Sequence, residues 1–148
     1  DQAYLSELHE LFMQKVIRAQ MRPEGFKAIQ RHMDAGHQLV GITATSDFIT
    51  APIFREFGIR EIIATNAELV DGQYTGKVIN IPCYQQGKLA RLDQWLAGRE
   101  VTESWAYSDS INDRFLLEYA DHAIAVNPDD RLEKLAQEQS WEIQDWSI

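Results

Sequence analysis

The chain is 148 residues long, with 45% hydrophobic residues and a formal net charge of −9. That length and apolar content suffice for one buried core, and no apolar run approaches membrane-spanning length. From Glu100 onward there are twelve Asp/Glu against three Lys/Arg, whereas the preceding residues balance at eleven each. An acidic field of that kind attracts divalent cations and repels a nucleic-acid backbone, so neither nucleic-acid nor membrane binding is expected. The single cysteine, Cys83, excludes an internal disulfide framework and is compatible with a cytoplasmic location.

Leu5, Leu8, Leu11, Phe12 and Val16 recur at helical spacing, so the chain opens in a helix. Pro23 suits a first turn, and the next helix is predicted to bury Phe26, Ile29 and Met33 and to stop at Gly36. Leu39-Val40-Gly41-Ile42 reads as a buried strand ending at Thr43. Ser46 or Asp47 can cap the helix that follows, which carries Phe48, Ile49, Ile53 and Phe57. Ile59 to Ala64 is a further apolar strand. Leu69-Val70-Asp71-Gly72-Gln73-Tyr74 predicts a hairpin, since Asp-Gly supplies the positive backbone angles of a tight turn.

After Gly87 a helix runs through Leu89, Leu92, Trp95 and Leu96. Lys88 lies in its first turn, where a cation opposes the helix dipole, so an anion has to hold it there. Glu103 to Ser108 reads as a strand, Phe115 to Tyr119 as a helix, and His122 to Val126 as another strand ended by Asn127-Pro128. Asp130 is expected to cap the last helix, with Leu132, Leu135 and Ala136 inward. Trp141-Glu142-Ile143 suggests a closing strand.

Strands alternating with helices imply an α/β fold built on a parallel sheet, with the ligand beyond the strands' carboxyl ends. The polar residues gathered at those ends include Thr43, Thr45, Ser46, Thr65, Ser108, Asp109, Ser110 and Asn127. Asp109 and Asp113 lie about one helical turn apart, so their carboxylates can face one point. Hard oxygen ligands at a loop suit Mg²⁺; the alternative is an acidic cap followed by a first-turn carboxylate. Thr43 can donate to a phosphate oxygen, and Lys88 can neutralise a phosphoryl group. The histidines His9, His32, His37 and His122 fall on separate elements with no ligand spacing.

In this order the residues resemble the haloacid dehalogenase superfamily, in its phosphoserine-phosphatase-like branch with a helical cap. Leu39 to Thr45 resembles the second family motif, a strand ending in Ser or Thr, here Thr43. Lys88 stands where the third motif has its lysine, and Tyr107-Ser108-Asp109-Ser110-Ile111-Asn112-Asp113 resembles the fourth, (G/S)DxxxD. Asp71 to Gly76 resembles the hairpin after the third strand, and Ala125-Val126-Asn127-Pro128 the ending of the fifth. The resemblance implies a Rossmann-like three-layer α/β/α fold, with residues 1–22 as the end of the cap and 23–148 as the core. It further implies a Mg²⁺-dependent phosphomonoesterase working through an aspartyl-phosphate, on a small phosphorylated metabolite.

Carried over by position, Thr43, Lys88 and Asp113 would be catalytic, Thr43, Ala44 and Asn112 would contact substrate, and Asp109 and Asp113 would hold the metal. The first motif, DxDxT, which carries the nucleophile, does not occur ahead of Thr43. The chain is therefore read as the carboxyl-terminal portion of a phosphatase, inactive alone, whose absent first strand would lie between those ending at Thr43 and Ser108. Self-association through the open sheet edges is expected. Ala44-Thr45 after Thr43, where phosphoserine phosphatases carry two glycines, makes phosphoserine itself a poorer substrate. The competing reading is a non-catalytic domain that binds Mg²⁺ or a phosphorylated ligand; a receiver-like phosphoacceptor using Asp109 fits less well, because receivers pair their acids after the first strand.

Overall fold

The computed structural model describes residues 2–148. The chain divides into two compact units, one ending at Cys83 and the other running Tyr84–Ile148. The helical segment expected of a cap lies within the first.

Helix α1, Gln2–Phe12, passes through a π-helical stretch, Met13–Ile17, into a short α2, Arg18–Gln20. Its apolar stripe is largely exposed, with Leu8, Leu11, Phe12 and Val16 each more than a third accessible, and Met13 is the residue buried there. Helix α3, Pro23–Asp34, starts at Pro23 as predicted but turns a different face inward. Gly25 and Ala28 are buried, whereas Phe26 and Met33 are exposed. Small residues let this helix approach closely, and Phe26 instead lies against the ring of Phe57, centroids 4.5 Å apart.

The first sheet has the order β1-β2-β3, formed by Val40–Ser46, Glu61–Val70 and Gln73–Ile79. β1 and β2 are parallel and in register from Val40 to Ile42, after which the ladder breaks until Ser46. Gly41 is required here: a Cβ at that position would come within 2.5 Å of the Phe54 ring. Helix α4, Asp47–Glu56, begins at Ser46, whose side chain accepts from Phe48 N. β2 continues well past the predicted Ala64, because antiparallel pairing with β3 carries its polar half. Asp71 (φ 49°) and Gly72 (φ 75°) form the hairpin turn.

The second unit opens with α5, Gln86–Leu96. Its sheet is all parallel, in the order β4-β5-β6, from Trp105–Ser108, His122–Val126 and Glu142–Gln144. A 3₁₀ turn, Ile111–Asp113, leads into α6, Arg114–Tyr119, and α7 spans Asp130–Gln139. Leu117, Ala123, Ala125, Leu132 and Ala136 make its core, with Ala106, Ile111 and Trp141 against it. The cap of α7 is Asp129 and not Asp130, which occupies the first helical position. Asp129 alone has the extended backbone a cap needs, and it accepts from Leu132 N at 2.8 Å. β1 and β3 are the outer strands of the first sheet, and β4 and β6 those of the second. Among the described residues no helix is long and apolar enough to cross a membrane.

Candidate active site

The centre of interest in the second unit is a buried ion pair. Lys88, in the first turn of α5, is only 6% exposed, and its ammonium donates to Asp113 Oδ1. A lone buried ammonium at a helix N-terminus is unfavourable on both counts, and Asp113 supplies the compensating charge. The other carboxylate oxygen, Oδ2, accepts the Ser108 hydroxyl at 2.6 Å. Ser108 Oγ in turn accepts from Ser110 N at 3.1 Å, which holds the chain as it leaves β4. Lys88, Asp113 and Ser108 therefore form one network at the carboxyl end of β4.

The turn between the two aspartates is fixed by further bonds. Ser110 Oγ accepts from Asn112 N at 3.2 Å, and Asp113 N donates to Ser110 O at 3.0 Å. Asp129 then ties this loop to α7. Its backbone N–H donates to Asp109 O at 2.9 Å, and its Oδ2 accepts from Ile111 N at 2.8 Å. Desolvation pushes the Asp129 carboxyl up, but the N–H groups of Ile111, Leu132 and Arg131 and the Arg131 charge outweigh it. The carboxyl is held below the usual range.

Asp109 follows β4 directly and is exposed; its carboxylate has no hydrogen bond or ion pair among the described residues. Asn112 is also exposed and lies outside the Lys88 network, lining a groove with Arg114 and Arg131. In the first unit, Thr43 sits where the β1–β2 ladder breaks, with Oγ1 accepting from Thr45 N at 3.2 Å and its O–H left to donate. Ala44 beside it is exposed.

Three residues hold partners that the sequence did not show. Ser108 reads as a plain substitute for glycine, yet it anchors Asp113. Asp129 reads as a loop residue; the signal available was its position just after Asn127-Pro128, where a strand end meets a helix. The third is Asp47, which accepts from Asn66 Nδ2 at 2.9 Å and from Phe48 N at 2.9 Å. It stands in a groove of about 670 Å³ beside His9, Phe48 and Tyr74. Burial, followed by the Asp47 charge, raises the Tyr74 hydroxyl.

A single exposed carboxylate with no partner, beside a second already engaged, meets part of what Mg²⁺ requires. That ion commonly takes one or two protein carboxylates and keeps several waters. Among the described residues no group of three or more His, Cys, Asp or Glu is arranged to hold a metal ion. Asp109 is thus the donor these residues can offer first.

Comparisons with known proteins identify the family. The chain is 41% identical over 145 residues to a histidinol-phosphatase of Neisseria meningitidis serogroup C, covering 94% of this chain and 65% of that protein. It is 43% identical over 122 residues to a phosphoserine phosphatase of Mycobacterium tuberculosis, covering 80% and 39% respectively. The chain thus spans under two thirds of the length of either relative. A crystal structure of a Bordetella pertussis Tohama I protein of unknown function superposes with a TM-score of 0.93 at 40% identity, over 98% of this chain and 67% of that one. A phosphoserine phosphatase solved as a phospho-aspartyl intermediate analogue shares the Rossmann-like α/β fold, with a TM-score of 0.62 at 18% identity, over 82% and 57%. The family profile of haloacid dehalogenase-like hydrolases matches residues 2–118, and the chain belongs to that family.

Proposed function

We propose that the intact protein is a Mg²⁺-dependent phosphomonoester hydrolase, and that this chain carries the part of its active site that binds metal and balances charge. The observation behind this reading is the buried Lys88–Asp113 pair, held by Ser108, with Asp113 at the end of the turn that follows Asp109. In the proposed mechanism Lys88 neutralises a phosphoryl oxygen and keeps an anionic nucleophile in place. Asp113 keeps Lys88 oriented and stands close enough in sequence to reach the metal through water. Thr43 donates its hydroxyl to the phosphoryl group, with the backbone at Ala44 alongside. Asp109 would hold Mg²⁺, which when bound spreads the charge of the transferring phosphoryl group. The attacking aspartate and the acid that protonates the leaving group would come from a DxDxT strand elsewhere in the intact protein, giving an aspartyl-phosphate.

The relatives suggest which substrates to try, histidinol phosphate and phosphoserine. Ala44-Thr45 after Thr43 favours the former. The test is hydrolysis of both, and of p-nitrophenyl phosphate, by intact protein with and without Mg²⁺. Asp109→Asn should abolish the Mg²⁺-dependent rate, because it neutralises the direct ligand. Asp113→Asn should lower it less and leave a residual rate. Wild-type turnover by Asp109→Asn at saturating Mg²⁺ would overturn the assignment.

A further inference from the structure

The last third of the chain is strongly acidic, yet its only three basic residues, Arg114, Arg131 and Lys134, line one groove. The groove lies wholly within the second unit and encloses about 550 Å³. That is the size of a small-molecule site. Asn112 and Gln85 also line it, as does one carboxylate, Glu138. Neither Lys88 nor Asp113 belongs to it.

The cations are weakly engaged. Arg114 donates to Glu118 at 2.7 Å and Lys134 stands 4.0 Å from Glu138, both exposed pairs one helical turn apart. Such exposed pairs are weak and exchange readily for another anion. The Arg131 guanidinium makes no hydrogen bond or ion pair among the described residues; its charge acts on Asp129 through space. The Asn112 side-chain amide likewise has no hydrogen-bond partner among them. The three cations share one groove in a chain of net charge −9, and such grouping favours an external anion.

We propose that this groove binds a small phosphorylated anion, at a site separate from the Lys88–Asp113 centre. Two guanidinium forks and an ammonium suit tetrahedral, multiply charged oxygen clusters, and the Asn112 and Gln85 amides add neutral donors. Because Asn112 and Asp113 share one three-residue 3₁₀ turn, an occupant of the groove also steadies the turn that carries Asp113. The proposal depends on the groove alone and stands or falls independently of the phosphatase reading.

The test is a titration of intact, metal-free protein with inorganic pyrophosphate, followed by amide NMR, with citrate as the carboxylate counterpart. Saturable shifts at Asn112, Arg114, Arg131 and Lys134 are expected, and they should persist in Lys88→Met, which removes the cation of the other centre. Replacing Arg131 and Lys134 together by Gln should weaken binding by about tenfold or more, as loss of charge-assisted bonds does. Glu138→Gln should tighten it, and serves as the variant least exposed to folding defects. Unchanged affinity in the Arg131/Lys134 variant, shifts confined to the surroundings of Lys88, or no saturable binding would overturn the proposal. Citrate binding as tightly as pyrophosphate would overturn its phosphate class.

Discussion

Ser108 carries the clearest residue-scale prediction. Its hydroxyl satisfies the Asp113 oxygen that Lys88 does not reach, in a network where Lys88 is nearly inaccessible. Ser108→Ala removes that donor and should cost about 1–3 kcal/mol, the range for stripping a partner from a buried charged group. Urea unfolding of the intact protein would measure it, with Ser108→Thr as the variant that keeps the hydroxyl. An unchanged midpoint in the alanine variant would show that water replaces the bond. The places of Thr43, Lys88, Asp109 and Asp113 along strands, turns and helix starts could be read from periodicity, whereas their roles came from the family resemblance. The Ser108 bond could not be read, since a serine at a turn is equally explained by backbone capping. Asp129 was obscured for a related reason: two adjacent aspartates offer the same chemistry, and only the extended backbone of the first decides which one caps.

At the scale of elements, what could be read followed from periodicity and turn chemistry. The Asp71-Gly72 hairpin, the Ser46 cap and the strand His122–Val126 all obey local rules. The far half of β2 does not, because Thr65-Asn66-Ala67-Glu68 gain strand form only through pairing with β3. Nor does the inward face of α3, where Gly25 and Ala28 displace the larger Phe26 and Met33. Close approach matters equally at β1. Gly41→Ala should destabilise by about 1–3 kcal/mol, the usual cost of overpacking, since its methyl would press on the Phe54 ring. A thermal midpoint equal to wild type would mean the ring swings aside freely. The link from β4 to α7 predicts a pH effect. Asp129 titrates below its unfolded range, so it binds fewer protons folded than unfolded between the two values. Its stabilisation is complete above about pH 3.9 and disappears as pH falls through the lower folded value. Asp129→Asn should therefore lower stability at pH 7 and flatten its dependence between pH 5 and 2. Parallel acid-unfolding curves for the two proteins would count against the clamp.

For the molecule as a whole, the edge strands β1 and β4 matter most. Each stands at one end of its sheet, as β3 and β6 stand at the other, and each carries apolar side chains: Val40 and Ile42 on β1, Trp105 and Tyr107 on β4. Open apolar edges recruit another strand. The family resemblance implies a DxDxT strand, and this chain spans 65% of the length of the Neisseria protein. Backbone groups left unpaired in a buried setting cost about 1–3 kcal/mol each, against a total stability of about 5–15 kcal/mol. A few such groups are enough to decide whether the fold persists. Residues 1–148 produced alone should accordingly be inactive and either associate through these edges or aggregate. Adding, as a separate piece, a segment that carries a DxDxT strand should restore a defined mass and Mg²⁺-dependent hydrolysis. Light scattering coupled to gel filtration reads the first, and p-nitrophenyl phosphate turnover the second. A monodisperse, active monomer of residues 1–148 would show that neither edge needs a further strand, and that the nucleophile must be sought within this chain.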